Sequence, residues 1–250
     1  MKRVLRALAL IPMALATAYG RLLALWWPSA GWAWNDMAYG EASTLTADVT
    51  HERGGRQVRM TFHVPNAVCR YRANTFSTKE PETLQWIDTF GGQGAFFDVG
   101  ANVGIYSIYY AKTHPGKVYA FEPSALNLGL LARNVSGNAL AGRIVIVPIP
   151  LTAVNQVAAF HLSMVDEGGA MSTFGADYGH DGRPLKAVMD YETVGVSLDF
   201  LIDSGIIPDL PTMMKIDVDG IEHLVLRGSV GVLASPILRT VLIVLTATEE

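Results

Sequence analysis

From Ala95 to Val99 the chain is apolar except for Asp98, and a tight Gly100-Ala101-Asn102-Val103-Gly104 segment leads into a helical stretch from Ile105 to His114. A short apolar run bounded by glycine predicts a strand buried on both faces. Pro115-Gly116 stops the helix, and Lys117 to Phe121 reads as a second buried strand that ends in Glu122-Pro123. The result is a βαβ unit. Its right-handed crossover makes the strands parallel neighbours and brings their carboxyl ends, with Asp98 and Glu122, to one rim, where such sheets bind ligands. Ser124 is placed to cap a helix running through Leu126, Leu130 and Leu131 to Gly137, and Ile144 to Ile149 supplies a third strand. The residues from Met213 to Gly228 repeat the theme as strand, acidic turn and helix. Asp217 stands at the strand tip beside the Asp98 strand, Asp219-Gly220 makes the turn, Leu224 and Val225 face the core, and Gly228 is the left-handed residue after the helix. The pattern predicts an α/β fold with a doubly wound, mostly parallel sheet.

Outside this core the signals are weaker. Apolar and polar residues partly alternate from Val58 to Tyr71 (Val58, Met60, Phe62, Val64), which predicts antiparallel strands. Arg53, Arg56, Arg59, Arg70 and Arg72 are scattered around them as a solvated face or a patch for an anion. Pro81 opens a short helix through Trp86 and Ile87 that Gly91-Gly92 ends. Between Leu151 and Glu192, Gly168-Gly169, Gly175, Gly179 and Gly182 predict mobile loops from which an acceptor pocket would be built.

The start of the chain is different material. Ala7 to Gly20 is uncharged between Arg6 and Arg21, but it is shorter than the ~20 residues a spanning helix needs, and Pro12 interrupts it. Trp26, Trp27, Trp32 and Trp34 follow, and indoles beside Lys2, Arg3, Arg6 and Arg21 suit the headgroup level of a membrane, which predicts a peripheral contact. Two rivals stand beside it: a signal peptide cleaved near Ala16-Thr17-Ala18, and a core helix packed on the rest of the chain. The expected divisions are 1–34, an extension over 35–92, and a ligand-binding domain over 93–250.

A chain of 250 residues with 50% hydrophobic and 17% charged residues suits one large α/β domain with an appendage. Charge is uneven: four of the 19 basic residues and none of the 23 acids precede residue 35, so the remainder carries 15 bases against 23 acids. No positive field is available for a nucleic-acid backbone, so nucleic acid is not an expected partner. The single cysteine, Cys69, excludes a disulfide framework and a thiolate zinc site and fits a reducing, cytoplasmic setting.

The glycine turn narrows the ligand. A dinucleotide fingerprint would need glycine where Asn102 and Ile105 stand, which weakens the reading as a nucleotide-dependent oxidoreductase. S-adenosyl-L-methionine has no phosphate to cradle, a positive amino group and sulfonium, and two ribose hydroxyls that a carboxylate accepts together. The residues expected to hold it are Asp98, Gly100, Asn102, Gly104, Glu122 and Asp217. Asp217, Glu222 and His223 are the candidates for chemistry, with Glu222-His223 otherwise simple helix surface. Calcium-loop spacing is absent. Asp217 with Asp219 could hold a divalent ion, but methyl transfer needs none and no metal is expected.

Together, Asp98-Val-Gly-Ala-Asn-Val-Gly104, Phe121-Glu-Pro123 and Lys215-Ile-Asp-Val-Asp-Gly220 with Glu222 resemble the FkbM family of S-adenosylmethionine-dependent methyltransferases. The resemblance runs from about Glu80 to Leu245 and includes Ser197-Leu198-Asp199. It implies a class I methyltransferase fold of the Rossmann-like type, with the Gly100 to Gly104 loop and Glu122 holding the cofactor. It also implies transfer to an oxygen of a sugar, polyketide or other small molecule. Family members continue past the strand matching Val241 to Leu245 into a further pair of strands, so the resemblance implies a sheet whose far edge is missing here. A non-catalytic, membrane-tethered binding module is the rival to an enzyme.

Overall fold

The computed structural model describes residues 43–179 and 181–245 without interruption and, before them, residues 15, 18–27, 29, 32–33 and 40–41. The chain divides into two compact units, Met1–Leu45 and Thr46–Glu250. In the first, residues 18–26 are helical and Trp26, Trp27 and Trp32 are exposed. Among the described residues no helix is long and apolar enough to cross a membrane. Expectations placed on Lys2, Arg3, Arg6, Pro12, Ala16, Thr17 and Trp34 lie outside the described residues, as does any strand beyond Leu245.

The second unit is built on a five-stranded parallel sheet. Its strands are β3 (Ala95–Val99), β4 (Val118–Phe121), β5 (Ile144–Val147), β9 (Pro211–Ile216) and β10 (Thr240–Ile243), in the order β10-β9-β3-β4-β5. Successive side chains in a strand point to opposite faces, and here both faces are covered. Phe96, Val118, Ala120 and Met213 enter one core, and Phe97, Val99, Phe121, Met214 and Ile216 enter the other. Fully burying each of these large side chains contributes about 1.5 to 3 kcal/mol, which is why this stretch reads as unbroken apolar runs.

The first core is closed by α3 (Ile105–Thr113), α4 (Ala125–Gly137) and residues from the stretch 46–92. That stretch folds as the antiparallel hairpin β1 (Thr46–Arg53) and β2 (Arg56–His63), then α1 (Ala67–Asn74) and α2 (Pro81–Phe90). It shares a core with the sheet through Phe62, Phe76 and Ile87. The strand expected to run to Tyr71 ends at His63. Asn66 caps a helix in its place, its side chain accepting from the Cys69 N–H at 2.9 Å. The opposite core is closed by α5 (Leu198–Asp203), α6 (Glu222–Arg227) and α7 (Val230–Leu233).

Three further expectations are corrected. Ser124 sits at the start of α4 without a side-chain capping bond; its backbone N–H goes instead to Glu122. Gly228 has φ −85°, so the left-handed C′ assignment fails; glycine is required there because a Cβ would strike the Thr152 carbonyl oxygen. Much of the region 151–192, expected as mobile loops, is a three-stranded antiparallel sheet: β6 (Gln156–Leu162) lies between β7 (Thr173–Phe174) and β8 (Met189–Gly195), pairing with β8 over its full length.

One backbone contact fixes the centre of the parallel sheet. Gly100 follows β3 with φ +85°, and a Cβ there would collide with the Asp217 carbonyl oxygen after β9. Handedness and space both demand glycine. Gly129, on the exposed side of α4, has open space around it. We expect Gly100→Ala to destabilise the protein by roughly 3 kcal/mol or more and Gly129→Ala to stabilise it by about 1 kcal/mol. Urea denaturation of both variants checks the contrast.

Candidate active site

In the parallel sheet β3, β4 and β5 follow one another outward while β9 and β10 run the other way, so the order reverses between β3 and β9. A crevice opens at such a reversal beyond the carboxyl ends of the strands. Here it is a cavity with Gly100, Glu122 and Asp217 in its lining. The glycine turn is tied to both neighbouring strands. Gly100 and Ala101 donate their N–H groups to the Phe121 carbonyl at 3.0 and 2.9 Å, and Asp217 donates its own to Val99 at 3.0 Å.

Glu122 is 5% exposed. Its Oε2 accepts the Asn102 N–H at 2.8 Å and its Oε1 the Ser124 N–H at 2.8 Å, with the Asn127 amide at 3.4 Å. Asn102 presents its N–H from a left-handed conformation, φ 52°. Burial pushes the Glu122 carboxyl up to about 7; its three donors hold it down and the nearby Asp219 adds to the rise.

The acidic turn after β9 divides its carboxylates among different tasks. Asp217 lines the cavity while its Oδ2 pairs with Lys215 Nζ at 2.7 Å. Lys215 is buried, with Tyr106 below it, its Nζ 5.1 Å from the ring centre. Burial alone would lower the Lys215 pKa, but Asp217, Asp98 and Glu80 raise it, so the ammonium stays charged. Asp219, also in the lining, adopts φ 57° and accepts the Met171 N–H at 2.6 Å through Oδ2; burial and Asp217 raise its pKa.

Not every expected residue is part of this lining. Asp98 is absent from it: period-two alternation turns its side chain to the face of Phe96, where Oδ2 accepts from Ser107 Oγ at 2.6 Å and Oδ1 has no hydrogen-bond partner among the described residues. Its pKa is raised by burial. The two-carboxylate grip expected from Asp98 and Glu122 is therefore a grouping of Glu122 with Asp217 and Asp219. Gly104 begins α3 against Leu131, away from the cavity. Glu222 is buried with Oε1 accepting the Val218 and Gly220 N–H groups at 3.3 and 3.1 Å; it braces the acidic turn instead of facing the cavity. His223 is exposed on α6 beside Tyr178, 3.4 Å from its hydroxyl, and also lies off the cavity. Among the described residues no cluster of His, Cys, Asp or Glu is arranged to hold a metal ion.

Sequence reasoning missed Ser124 and Asn127 as parts of the cavity, whereas the strap over 166–172, which contributes Gly169, Ala170 and Ser172, lies in the segment from which a pocket was expected. Asn127 had a readable signal. It lies three and four residues before the core-facing Leu130 and Leu131, so a polar side chain occupies a buried helical position.

With this geometry in view, comparison with known proteins places the chain. The model of the methyltransferase FkbM domain matches residues 98–249. The chain belongs to the FkbM methyltransferase family. A curated relative, 31-O-demethyl-FK506 methyltransferase FkbM of Streptomyces tacrolimicus, is 27% identical over 152 residues, covering 53% of this chain and 58% of the relative. The present FkbM-family chain thus spans little more than half of that protein's length. Among solved structures, methyltransferase FkbM from Methylobacillus flagellatus KT aligns at 18% identity and TM-score 0.36, covering 57% of this chain and 30% of that one. TYW2 of M. jannaschii in complex with AdoMet aligns at 19% identity and TM-score 0.29, covering 40% of this chain and 42% of that one.

Because the Glu122 pKa is about 7 in the folded protein against an ordinary 4.5, the folded state binds a proton that the unfolded chain has released between these pH values. The associated stability is complete below pH 4.5 and is lost as pH rises through 7, with a ceiling of roughly 3 kcal/mol. Glu122→Gln should flatten this part of the decline, so Tm measured from pH 5 to 8 should fall less in the variant than in the parent.

Proposed function

We propose that this chain is an S-adenosylmethionine-dependent O-methyltransferase acting on a hydroxyl of a small molecule or sugar. The observation that carries the reading is the charge of the cavity: Glu122, Asp217 and Asp219 line it, and among the described residues no lysine or arginine does. Such a lining favours a cationic ligand without phosphates. A nicotinamide dinucleotide would bring its pyrophosphate against these acids, at a turn whose second glycine position is Asn102. The family and the O-methyl position in the curated relative's name support the same direction.

The residues present fit the cofactor. The Glu122 carboxylate would accept the ribose hydroxyls, Gly100 allows close approach to the turn, and Ile149, Phe160 and Phe174 offer apolar wall. When bound, the cofactor supplies an activated methyl group. The rest is the work of this chain's own side chains. Most of the rate comes from holding the acceptor oxygen in line at attack distance. Asp217 has one oxygen on Lys215, and its other oxygen makes no hydrogen bond among the described residues. That second oxygen is the one to take the acceptor's proton, a step worth on the order of 10² to 10⁴ in rate. Glu222 and His223 lie off the cavity, so of the three residues expected to do the chemistry Asp217 alone keeps this role.

Calorimetric titration of the full chain with S-adenosylhomocysteine tests the reading. We expect micromolar binding, weakened roughly ten- to a hundredfold by Glu122→Ala. A thermal shift with NADH and none with S-adenosylhomocysteine would refute it. The exposed Trp26, Trp27 and Trp32 of the first unit support a peripheral lipid contact. Cosedimentation with anionic lipid vesicles is expected, and replacing the three indoles by alanine should abolish it.

A further inference from the structure

The strap over 166–172 is held along two edges. On one, Glu167 pairs with Arg133 at 2.5 Å, and its carbonyl accepts from Asn66 Nδ2 at 2.9 Å and Cys69 Sγ at 3.1 Å; Arg72 Nε donates to the Gly168 carbonyl at 2.9 Å. On the other edge, against the cavity, two asparagines do the holding. Asn102 donates its backbone N–H to Glu122 and its side-chain Nδ2 to the Gly169 carbonyl at 2.7 Å. Asn127 accepts the Gly168 N–H at 2.8 Å through Oδ1 and donates Nδ2 both to the Gly169 carbonyl at 3.2 Å and to Glu122 Oε1 at 3.4 Å.

Asn127 is buried, so each of these bonds replaces one that water would otherwise make. The partners also fix its orientation. A flipped amide would set its oxygen against a carbonyl and a carboxylate while turning its NH₂ to an N–H donor. One carboxamide therefore joins the cavity carboxylate to the peptide that roofs the same cavity. Leucine in its place would leave a buried N–H and a buried carbonyl with fewer partners and remove one of the donors that favour the ionised form of Glu122.

We propose that Asn127 is the positioning residue of this site, holding the Glu122 carboxylate and the Gly168-Gly169 peptide in a single arrangement so that a ligand engaging Glu122 is roofed in the same event. The inference rests on the reading of Glu122 as a ligand contact. A ribose diol donates to the ionised carboxylate, so affinity for S-adenosylhomocysteine should rise as pH increases through about 7. The other titratable groups near Glu122 are Asp219 and the Lys215-paired Asp217 beyond β9, and Tyr191 of β8, whose hydroxyl donates to the Pro123 carbonyl at 3.3 Å and accepts the Ala125 N–H at 3.2 Å. All are retained when Asn127 is changed, so a shift in the profile reports Asn127 itself.

The test uses the full chain with S-adenosylhomocysteine as probe, titrated from pH 6 to 9, together with amide hydrogen exchange of residues 168–172 without ligand. In Asn127→Leu the rise in affinity should move to higher pH, affinity at pH 8 should fall about tenfold, and the Gly168 amide should exchange faster. Asn127→Asp keeps the shape and the acceptor for the Gly168 N–H but sets a second carboxylate beside Glu122. It should shift the profile further while leaving Gly168 protected, and it serves if the leucine variant does not fold. Parental affinity and midpoint in both variants, or faster exchange without a shifted midpoint, would leave Asn127 a structural residue and overturn the inference alone. Absence of binding by the parent at every pH would instead overturn the methyl-donor reading, and this inference with it.

Discussion

A carboxylate with almost no access to water, yet placed at the end of a strand where three backbone turns converge, is the constraint around which the site is organised. Isolated in an apolar interior, an ionised Glu122 would be prohibitively costly. It is tolerated because its two oxygens accept N–H groups from different elements, Asn102 in the turn after β3 and Ser124 at the head of α4. Those bonds need the turn to be tight and left-handed at Gly100 and Asn102, and the turn is tight because β9 ends against it with no room for a Cβ. The positions of β3, β4 and β9 and the charge of one side chain are thus mutually dependent. Burial still wins over the hydrogen bonds, which is why the carboxyl titrates near neutrality, where a modest change in its donors alters its charge.

The remaining charges are sorted by strand alternation. Asp98 and Lys215 are register partners on β3 and β9 and face the α3 side. Asp217, two residues beyond Lys215, reaches the cavity with one oxygen already neutralised by it. A buried cation with acids on both sides satisfies the interior without adding positive charge to the cavity wall. The wall remains anionic, and the binding preference inferred for it follows from this segregation more than from the number of acids in the sequence.

How far the sequence could be read depended on the range of the interactions involved. The run of β3, α3 and β4 was legible because burial on both faces leaves mostly apolar residues and sharp glycine or proline stops; Gly100, Asn102 and Glu122 of the cavity lining could be named from it, and Asp217 from the end of β9. Asp98 was misplaced because its position near the strand end was weighed above the direction it faces. Glu222 and His223 were drawn toward the chemistry by proximity in sequence, whereas one turn of helix carries His223 to the surface and folds Glu222 back onto backbone N–H groups. The β6–β8 pairing joins residues 27 to 39 positions apart, and apolar residues at exposed positions such as Val157 and Val194 blur its alternation. Helix α1 escaped because the alternation of β2 was extended past His63, although Pro65-Asn66 carried a turn and cap signal.

The two sheets of the second unit divide the task of enclosing a ligand. The parallel sheet supplies rigid strand ends, whose geometry is fixed by neighbours on both sides. The antiparallel sheet supplies Phe160 and Phe174 to the cavity, and the strap between β6 and β7 arches over it. Hydrogen bonds between the two include Asp219 with Met171, Asn102 and Asn127 with Gly168-Gly169, and Tyr191 with the start of α4, and beside them Phe160, Leu162 and Phe174 pack against Ile221. Each modest hydrogen bond contributes about 1 kcal/mol, and two of these contacts involve non-glycine residues at positive φ, Asn102 and Asp219, which carry a backbone cost of similar size. The strap, held by such small and partly opposed terms, is easier to open than the apolar layers beneath it. A site of the proposed kind, admitting a cofactor and a separate acceptor, needs that difference in stability.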